Sequence, residues 1–433
     1  MNSSCRSLLN SLKHNWRALA LSGANQMIGS LTNFVVVLYL VRVMEKSEFG
    51  FYSLGFALML MIAGLISSLI IVQFVVNLPD LPKIERVNYA MHHSIAVFLL
   101  GMIPVILGVL IDSIQMAFII GEANVQQIIL PCAAATFFYS QRDFLVRVAY
   151  SERRESIVLI SALAVSAGMA AFFIVEWYLK QSLSASRALY GIATGQMTGC
   201  VIGLFFLKFP YSKFNFTSVR QVFKDSWQGG RWNILTNVLY NLRTQAHNFV
   251  VPPLLGMVAL AEVNAARVLV TPAVMAIPPL MQILMPRLGE KRKEGITAIK
   301  HYALLSIGVL AAFSLLYTLL LIVLLPWALP LALGEAYQHV GYLVMAWCLV
   351  SVFLALRNGL TMVLQVIRAF RDLFFVNVIA AAVAILLVIA LCTTFDSLGA
   401  IIALAIAEIV LCFSLVKLLQ SKLAEQVSFS GER

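Results

Sequence analysis

Apolar segments recur along the whole chain, and their length constrains the fold more than any other feature. A helix needs about 20 mostly apolar residues to cross a bilayer. The alternation of apolar and polar residues that is typical of membrane β-strands is absent. The sequence therefore predicts an all-α polytopic membrane protein with about 12 transmembrane helices. The predicted spans, numbered in chain order, are roughly 19–43, 51–77, 90–111, 126–147, 156–179, 188–207, 231–254, 260–285, 301–325, 340–362, 373–394 and 398–419.

The composition excludes the soluble classes of protein. Of 433 residues, 61% are hydrophobic and 12% are charged, whereas a soluble domain is roughly half apolar and a quarter charged. This excludes a soluble enzyme, a secreted disulfide scaffold and a disordered regulator. The six cysteines are far apart and form no CxxC pair, so the sequence indicates neither a zinc site nor a redox pair, and no metal site is predicted.

The net charge of +11 indicates topology rather than nucleic-acid binding. Of the 31 lysine and arginine residues, 25 lie in or beside segments that alternate to one side of the membrane. Because cytoplasmic loops are enriched in basic residues, this pattern predicts that both termini are cytoplasmic. The outer loops carry acids instead: Asp112, Glu122, Glu335 and Asp396. The first span is too long for a cleaved signal peptide and is read as an uncleaved helix.

The longest segment between spans divides the chain into two halves. Residues 208–230 are basic and aromatic, which favours an amphipathic connector at the cytoplasmic membrane surface. The predicted domains are therefore an N-terminal six-helix lobe, 1–207, this connector, and a C-terminal six-helix lobe, 231–433. Arg17 precedes Glu48 by the same 31 residues that separate Arg231 from Glu262. This echo favours parallel repeats, an arrangement that places a substrate site between the halves.

Span 7 is the most polar of the predicted helices. Helical spacing puts Tyr240, Arg243 and His247 on one face, with Asn237 alongside. A charge in mid-span costs at least ~2.5–3.5 kcal/mol unless an acid, water or an anionic ligand offsets it. We therefore predict that this face lines a substrate cavity, with polar contacts between helices as the alternative. His247 lies one turn from Arg243 and is suited to accept a proton or to donate to an anion, with a simple hydrogen bond inside the protein as the alternative.

Polar residues of two other spans extend the predicted cavity. Span 8 contributes Asn264 and Arg267 on one face, and Arg267 is close enough to the outer end to snorkel. Span 1 contributes Asn25, Gln26 and Asn33 at helical spacing.

Other charged residues have a second interpretation each. Arg142 and Arg147 in span 4 and Arg357 in span 10 are candidates for a ring at the cytoplasmic mouth, or else ordinary anchors at helix ends. Glu408 in span 12 is a candidate proton or sodium site, or else a structural partner for a basic residue on a neighbouring helix. The sequence contains no GxxxxGK[ST], HExxH or GxSxG motif.

Several short motifs resemble those of one transporter superfamily. They are LVRVMEKSEFGFYSLGFAL at 40–58, GMVALAEVNAARVLVTP at 256–272, Pro-Arg-Leu at 286–288, LGEAYQHVGYLVMAW at 333–347 and DSLGAIIALAIAE at 396–408. Their order and spacing resemble the multidrug/oligosaccharidyl-lipid/polysaccharide (MOP) exporters, and within them the Wzx-type flippases of O-antigen and capsule. The resemblance covers nearly the whole chain and implies two six-helix lobes, MATE-like, in a V shape with a central cavity.

The resemblance also implies a function. Wzx-type proteins move an undecaprenyl-pyrophosphate-linked oligosaccharide, such as an O-antigen, capsule or exopolysaccharide repeat unit, across the bacterial inner membrane by alternating access. Arg243 and Arg267 are the residues able to supply a cationic cavity for the pyrophosphate. The implied partners are the lipid-linked oligosaccharide, membrane lipids, and a polysaccharide polymerase with its chain-length regulator. No cofactor is expected beyond H+ or Na+ coupling.

Two alternatives remain at the level of the sequence. The first is a MATE-like ion-coupled drug or metabolite antiporter, which the scarcity of intramembrane acids disfavours. The second is a membrane polysaccharide polymerase or ligase, which the short outer loops disfavour. A transporter rather than an enzyme is therefore predicted.

Overall fold

The computed structural model describes residues 3–114, 123–180, 182–209, 214–367 and 369–431, and within these ranges every regular element is a helix. The prediction of an all-α polytopic fold is confirmed. We number the α-helices in chain order: α1 Ser3–Val43, α2 Lys46–Ile66, α3 Val72–Asn77, α4 Lys83–Ile114, α5 Ala123–Ser151, α6 Glu155–Tyr178, α7 Ala185–Leu207, α8 Phe216–Glu294, α9 Ile296–Ala328, α10 Gly341–Val366 and α11 Phe370–Gly431. Short π or 3-10 segments occupy Ser67–Ile71, Leu78–Asp80, Leu329–Leu333 and Glu335–Val340.

Two of these helices are broken and hold two predicted spans each. In α8 the break is at Gly256, whose φ of 86° and ψ of 173° suit a residue without a Cβ. In α11 the break is at Phe395 and Asp396, where Asp396 has a φ of 50°. Each of the twelve predicted spans lies in helical segments of the described chain. Nine of the described helices have the length and apolar composition to cross a membrane; α5, which carries span 4, has too many polar residues to be counted with them.

The chain forms two compact units. Unit 1 comprises Met1–Val35 and Leu54–Val238. Its core contains aromatic contacts around Phe74, whose ring lies 5.8 Å from that of Tyr89 and 5.0 Å from that of Phe144. Glycines of α7 let neighbouring helices approach closely, since a Cβ at Gly195 would lie 2.4 Å from Cγ of Met169.

Unit 1 also includes the start of α8. The sequence predicts a connector at 208–230; the structure places 216–230 in the same unbroken helix as span 7, while residues 210–213 lie outside the described chain. Gly230 allows close packing, because a Cβ there would lie 2.9 Å from the carbonyl oxygen of Leu69. Trp227 and Trp232 are exposed on this segment. The boundary between the units therefore falls within span 7, after Val238.

Unit 2 comprises Val36–Ser53 and Leu239–Arg433. The Val36–Ser53 segment, which joins α1 to α2, belongs by sequence to the first half and by packing to this unit. Lys46 Nζ lies 3.0 Å from Glu262 Oε1, and His339 Nε2 lies 2.8 Å from the same oxygen. Arg42 donates to the carbonyl oxygens of Leu331 and Pro330.

The interior of unit 2 includes buried hydrophobic residues of α8, α10 and α11. Leu288, Met362, Leu364 and Leu411 are buried in one of its hydrophobic clusters. The polar residues considered next lie on the same three helices, so apolar packing fixes the spacing of the backbones that carry them.

Candidate functional site

The second half of span 7 places a run of polar residues inside unit 2. Asn241, Arg243, His247 and Asn248 retain 7%, 2%, 0% and 3% of their accessible surface. Spacings of three and four residues bring Arg243 and His247 to one face of α8. Burial of polar groups is costly unless they find partners, so the contacts of these residues define the site.

One buried carboxylate contacts two buried arginines. Arg243 Nη1 in α8 donates to Glu408 Oε1 in α11 across 3.1 Å. Arg357 Nε in α10 lies 2.8 Å from the other oxygen, Oε2. This second contact is a close ion pair without the alignment of a directed hydrogen bond, since neither atom has a hydrogen-bond partner within the described chain. Three helices are thereby joined through one acid.

A third arginine is held by neutral groups. Arg267 Nη1 lies 3.4 Å from Gln245 Oε1, and its Cζ lies 5.3 Å from the ring centroid of Trp347. Trp347 Nε1 donates to the carbonyl oxygen of Val263 across 2.9 Å, which fixes the indole. No carboxylate in the part of the chain that the structure describes forms an ion pair with Arg267.

A chain of side-chain amides leads to the third arginine, Arg267. Asn264 Nδ2 donates to Asn248 Oδ1 across 2.8 Å, and Asn248 Nδ2 donates to Gln245 Oε1 across 2.6 Å. Gln245 in turn accepts from Arg267. The amides therefore form a chain that ends on a guanidinium, a set of donors and acceptors suited to hydroxyl groups.

Several buried polar atoms of the cluster, both donors and acceptors, make no hydrogen bond within the described ranges. They are Nε and Nη2 of Arg243 and both ring nitrogens of His247. His247 contacts Trp347 edge to face, with ring centroids 5.4 Å apart. Buried polar atoms are nearly always hydrogen-bonded in folded proteins, so unused ones indicate capacity for a ligand or water.

The charges of the cluster do not balance. Arg243, Arg267 and Arg357 stand against Glu408, so the cluster carries an excess of two positive charges with His247 neutral. An uncompensated buried charge is strongly destabilising. The site is therefore suited to an anion.

The structure separates the predicted cavity residues into two groups. Arg243, His247, Arg267 and Asn264 come together in unit 2, with Tyr240 half-exposed beside them, its ring 5.8 Å from Cζ of Arg243.

Asn237 belongs to unit 1, where it packs against Gly64. Asn25 also lies there and donates to the hydroxyl of Tyr150 across 3.1 Å. Gln26 is exposed and Asn33 half-buried in the same unit. These four residues are not part of the arginine cluster.

The residues predicted for a cytoplasmic mouth also divide. In unit 1, Arg142 donates to Ser161 Oγ across 3.2 Å, and exposed Arg147 pairs with Asp143 at 3.4 Å. Arg357 lies in unit 2, where it retains 7% of its accessible surface and pairs with Glu408. The alternative of an anchor at a helix end does not apply to Arg357, because α10 continues to Val366.

Trp347 is a member of the cluster that the sequence did not single out. It lies in an apolar run and looks like any core aromatic; only its indole contact with a distant carbonyl and its neighbouring cation distinguish it. In the described residues, no group of three histidine, cysteine or acidic side chains is arranged to hold a metal ion.

The fold resembles that of solved membrane transporters. A multidrug resistance transporter of the MATE family, of the MOP superfamily, in an inward-facing conformation matches with a TM-score of 0.78 and 14% identity, covering 95% of this chain and 99% of that chain. The lipid II flippase MurJ in an inward closed conformation matches with a TM-score of 0.73 and 10% identity, covering 94% and 89%. A eukaryotic MATE transporter matches with a TM-score of 0.66 and 14% identity, covering 96% of this chain and 98% of that chain.

Neither models of protein families nor curated protein sequences match the chain. At the identities of the solved structures, the likeness establishes the fold: this is a multi-pass membrane protein with the architecture shared by MATE transporters and MurJ.

Proposed function

We propose that this protein is a flippase that moves a polyprenyl-pyrophosphate-linked oligosaccharide across the bacterial inner membrane, with both termini in the cytoplasm. In this proposal the substrate is an undecaprenyl-pyrophosphate repeat unit of an O-antigen, capsule or exopolysaccharide, as in Wzx-type flippases. One of the structurally similar proteins is a lipid II flippase, which supports a lipid-linked substrate.

The observation that carries the proposal is the excess of positive charge in unit 2. Three arginines stand against one glutamate, and Arg243 retains two unused donor atoms. Guanidinium groups bind phosphate oxygens in bidentate fashion. A pyrophosphate, which carries negative charge on each phosphate, supplies the missing counter-charge, and the amides of Gln245, Asn248 and Asn264 supply bonds to sugar hydroxyls.

Alternating access is the proposed transport mechanism. A ligand shifts the equilibrium between two states only by its difference in affinity for them. In the present structure Arg243 and His247 are inaccessible, so the substrate reaches them in a state that opens the cluster, and half-exposed Tyr240 receives it first. Both oxygens of Glu408 contact guanidinium groups in this structure, which disfavours Glu408 as the site of H+ or Na+ coupling.

A second candidate function is an ion-coupled drug or metabolite antiporter. The structural likeness to multidrug MATE transporters favours it. The charge of the cluster favours the flippase instead, since a cationic drug needs an acidic site. A polymerase and a chain-length regulator are proposed partners of the flippase; no observation favours a polymerase or ligase activity of this chain.

The test is export in a bacterial strain that lacks its own polysaccharide flippase. The wild-type chain is expected to restore surface polysaccharide, and Arg267→Gln to reduce it strongly at equal membrane abundance. Arg267 suits the test because, among the described residues, it has no ion-pair partner whose charge would be left buried. Arg187→Gln is the matched control: that arginine pairs with Glu176 in unit 1, at 3.4 Å, and its loss should leave export intact.

Normal export by Arg267→Gln and by Arg243→Ala, with normal membrane insertion, would refute the role of the cluster. Resistance to cationic drugs on expression, without any rescue of export, would favour the antiporter.

A further inference from the structure

Glu408 holds an unusual position within the arginine cluster. Its side chain is 8% exposed, and each carboxylate oxygen contacts an arginine from a different helix. No other acid takes part in the cluster among the described residues. The part that this one acid plays therefore has to be compatible with the binding of a second anion.

The contacts of Glu408 are those that a phosphate would make. Carboxylates and phosphates both offer paired oxygens to the planar fork of a guanidinium group. Glu408 Oε1 uses one of the donor atoms of Arg243, and Nε and Nη2 of the same group are unused. Its contact with Arg357 is close, at 2.8 Å, but lacks the alignment of a hydrogen bond. Neither guanidinium is saturated by the carboxylate.

The geometry points to Glu408 as a resident anion that competes with the phosphate of the substrate for Arg243 and Arg357. It is a positioning residue: it holds Arg243 and Arg357 while the site is empty, yields them to the pyrophosphate, and takes them back when the substrate leaves. This inference rests on the proposed function. It gives Glu408 a role in release, since transport requires binding that is strong enough for entry and weak enough for departure.

Competition makes a prediction that a purely structural role does not. Removal of the carboxylate should strengthen substrate binding and slow turnover, because the arginines lose the group that displaces the substrate. If Glu408 had a purely structural role, its removal would weaken substrate binding instead. Because the removed carboxylate no longer competes for the two guanidinium groups, we expect Glu408→Gln to bind the substrate roughly tenfold more tightly, which corresponds to about 1.4 kcal/mol.

The experiment uses the purified full-length protein in lipid nanodiscs. The probe is a short-chain polyprenyl pyrophosphate; the matching monophosphate and the uncharged polyprenol report the contribution of each phosphate. Dissociation constants are measured for the wild type and Glu408→Gln, and turnover is measured as flipping of the same probe in liposomes. The expected result is a lower dissociation constant together with slower turnover.

Two further variants separate competition from other effects. Glu408→Asp keeps the charge but withdraws the carboxylate by about 1.5 Å. Competition therefore predicts that this variant binds the probe more tightly than the wild type, whereas an effect of net charge predicts no change in affinity. Glu408→Asp also provides the test if Glu408→Gln does not fold. Glu262→Gln is the matched control, because Glu262 likewise contacts two basic side chains, Lys46 and His339, outside the cluster; its affinity for the probe should not change.

Each outcome decides a different point. If the wild type binds the probe and both Glu408 variants bind it equally or more weakly, the competitor role is overturned and the proposed function stands. A wild type that binds none of the pyrophosphate probe overturns the proposed function, and this inference with it. Tightening by Glu262→Gln to the same extent would also overturn the competitor role, since the effect would then follow from any lost carboxylate.

Discussion

Replacement of Gly50 by alanine tests whether the Val36–Ser53 segment is docked on the rest of unit 2. A Cβ built at Gly50 would lie 2.1 Å from the carbonyl oxygen of Met257 and 2.8 Å from its carbonyl carbon. Ordinary contacts of a Cβ begin at 3.4 Å. The two backbones would have to separate by about 1.3 Å, the difference between these distances, and no side-chain rotation can relieve the overlap.

Two opposing contributions set the expected size of the effect. Overpacking costs about 1–3 kcal/mol, and a clash with backbone belongs at the upper end. Alanine is favoured over glycine inside a helix by about 0.5–1 kcal/mol. Gly50→Ala should therefore destabilise the protein by about 2 kcal/mol. Gly29→Ala is the matched control: it lies within α1, no atom lies within 4 Å of its added Cβ, and only the gain in helix propensity should remain.

Thermal unfolding in detergent, followed by the loss of monodisperse protein, measures both variants side by side. We expect Gly50→Ala to unfold several degrees below the wild type and Gly29→Ala at or slightly above it. Equal stability of Gly50→Ala and the wild type would refute the reasoning, because the contact between Gly50 and Met257 would then not exist in the folded protein.

Three further predictions follow from other contacts. Lys46→Gln should lower stability by no more than about 1 kcal/mol, because the pair with Glu262 is partly exposed; high salt should reproduce the loss in the wild type and add little in the variant. Trp347→Phe, which loses the bond to Val263, should cost about 1 kcal/mol in thermal unfolding yet retain export, whereas Trp347→Ala should impair export. The thiols of Cys132, Cys200, Cys348, Cys392 and Cys412 are buried. In a Cys5→Ser background, which removes the sixth cysteine of the sequence, they should react with maleimide only after denaturation, and rapid labelling of that native variant would contradict their burial.

The helices could be predicted from the sequence because the membrane imposes a length on each of them. Inside the bilayer a span has to satisfy its backbone hydrogen-bonding groups within its own helix, so the length of an apolar segment predicts where a helix lies. The breaks within α8 and α11 were harder to predict. Gly256 and Asp396 turn the chain within single long helices, and the sequence gives a glycine or an aspartate at a helix end without its backbone angles.

The division into units departs most from the sequence at Val36–Ser53. Chain order assigns this segment to the first half, and its contacts with Glu262, Leu331 and Met257 assign it to the second unit. Chain order predicts neighbours only where connections are short. The pairing of Lys46 with Glu262, 216 residues apart, depends on the tertiary fold.

The same limit explains which part of the site could be predicted. Arg243 was identifiable because its charge lies in mid-span, where an isolated cation is costly. The cost also implied an unknown partner, and the sequence offered an acid, water or a ligand without a means of choosing. The structure shows that the acid is Glu408 and that it is shared with Arg357. A shared acid neutralises only one of two cations, so the pairing leaves the demand for a further anion in place. A site whose resident partner is insufficient by one charge, with Arg267 adding another, is better suited to exchange anions than to exclude them.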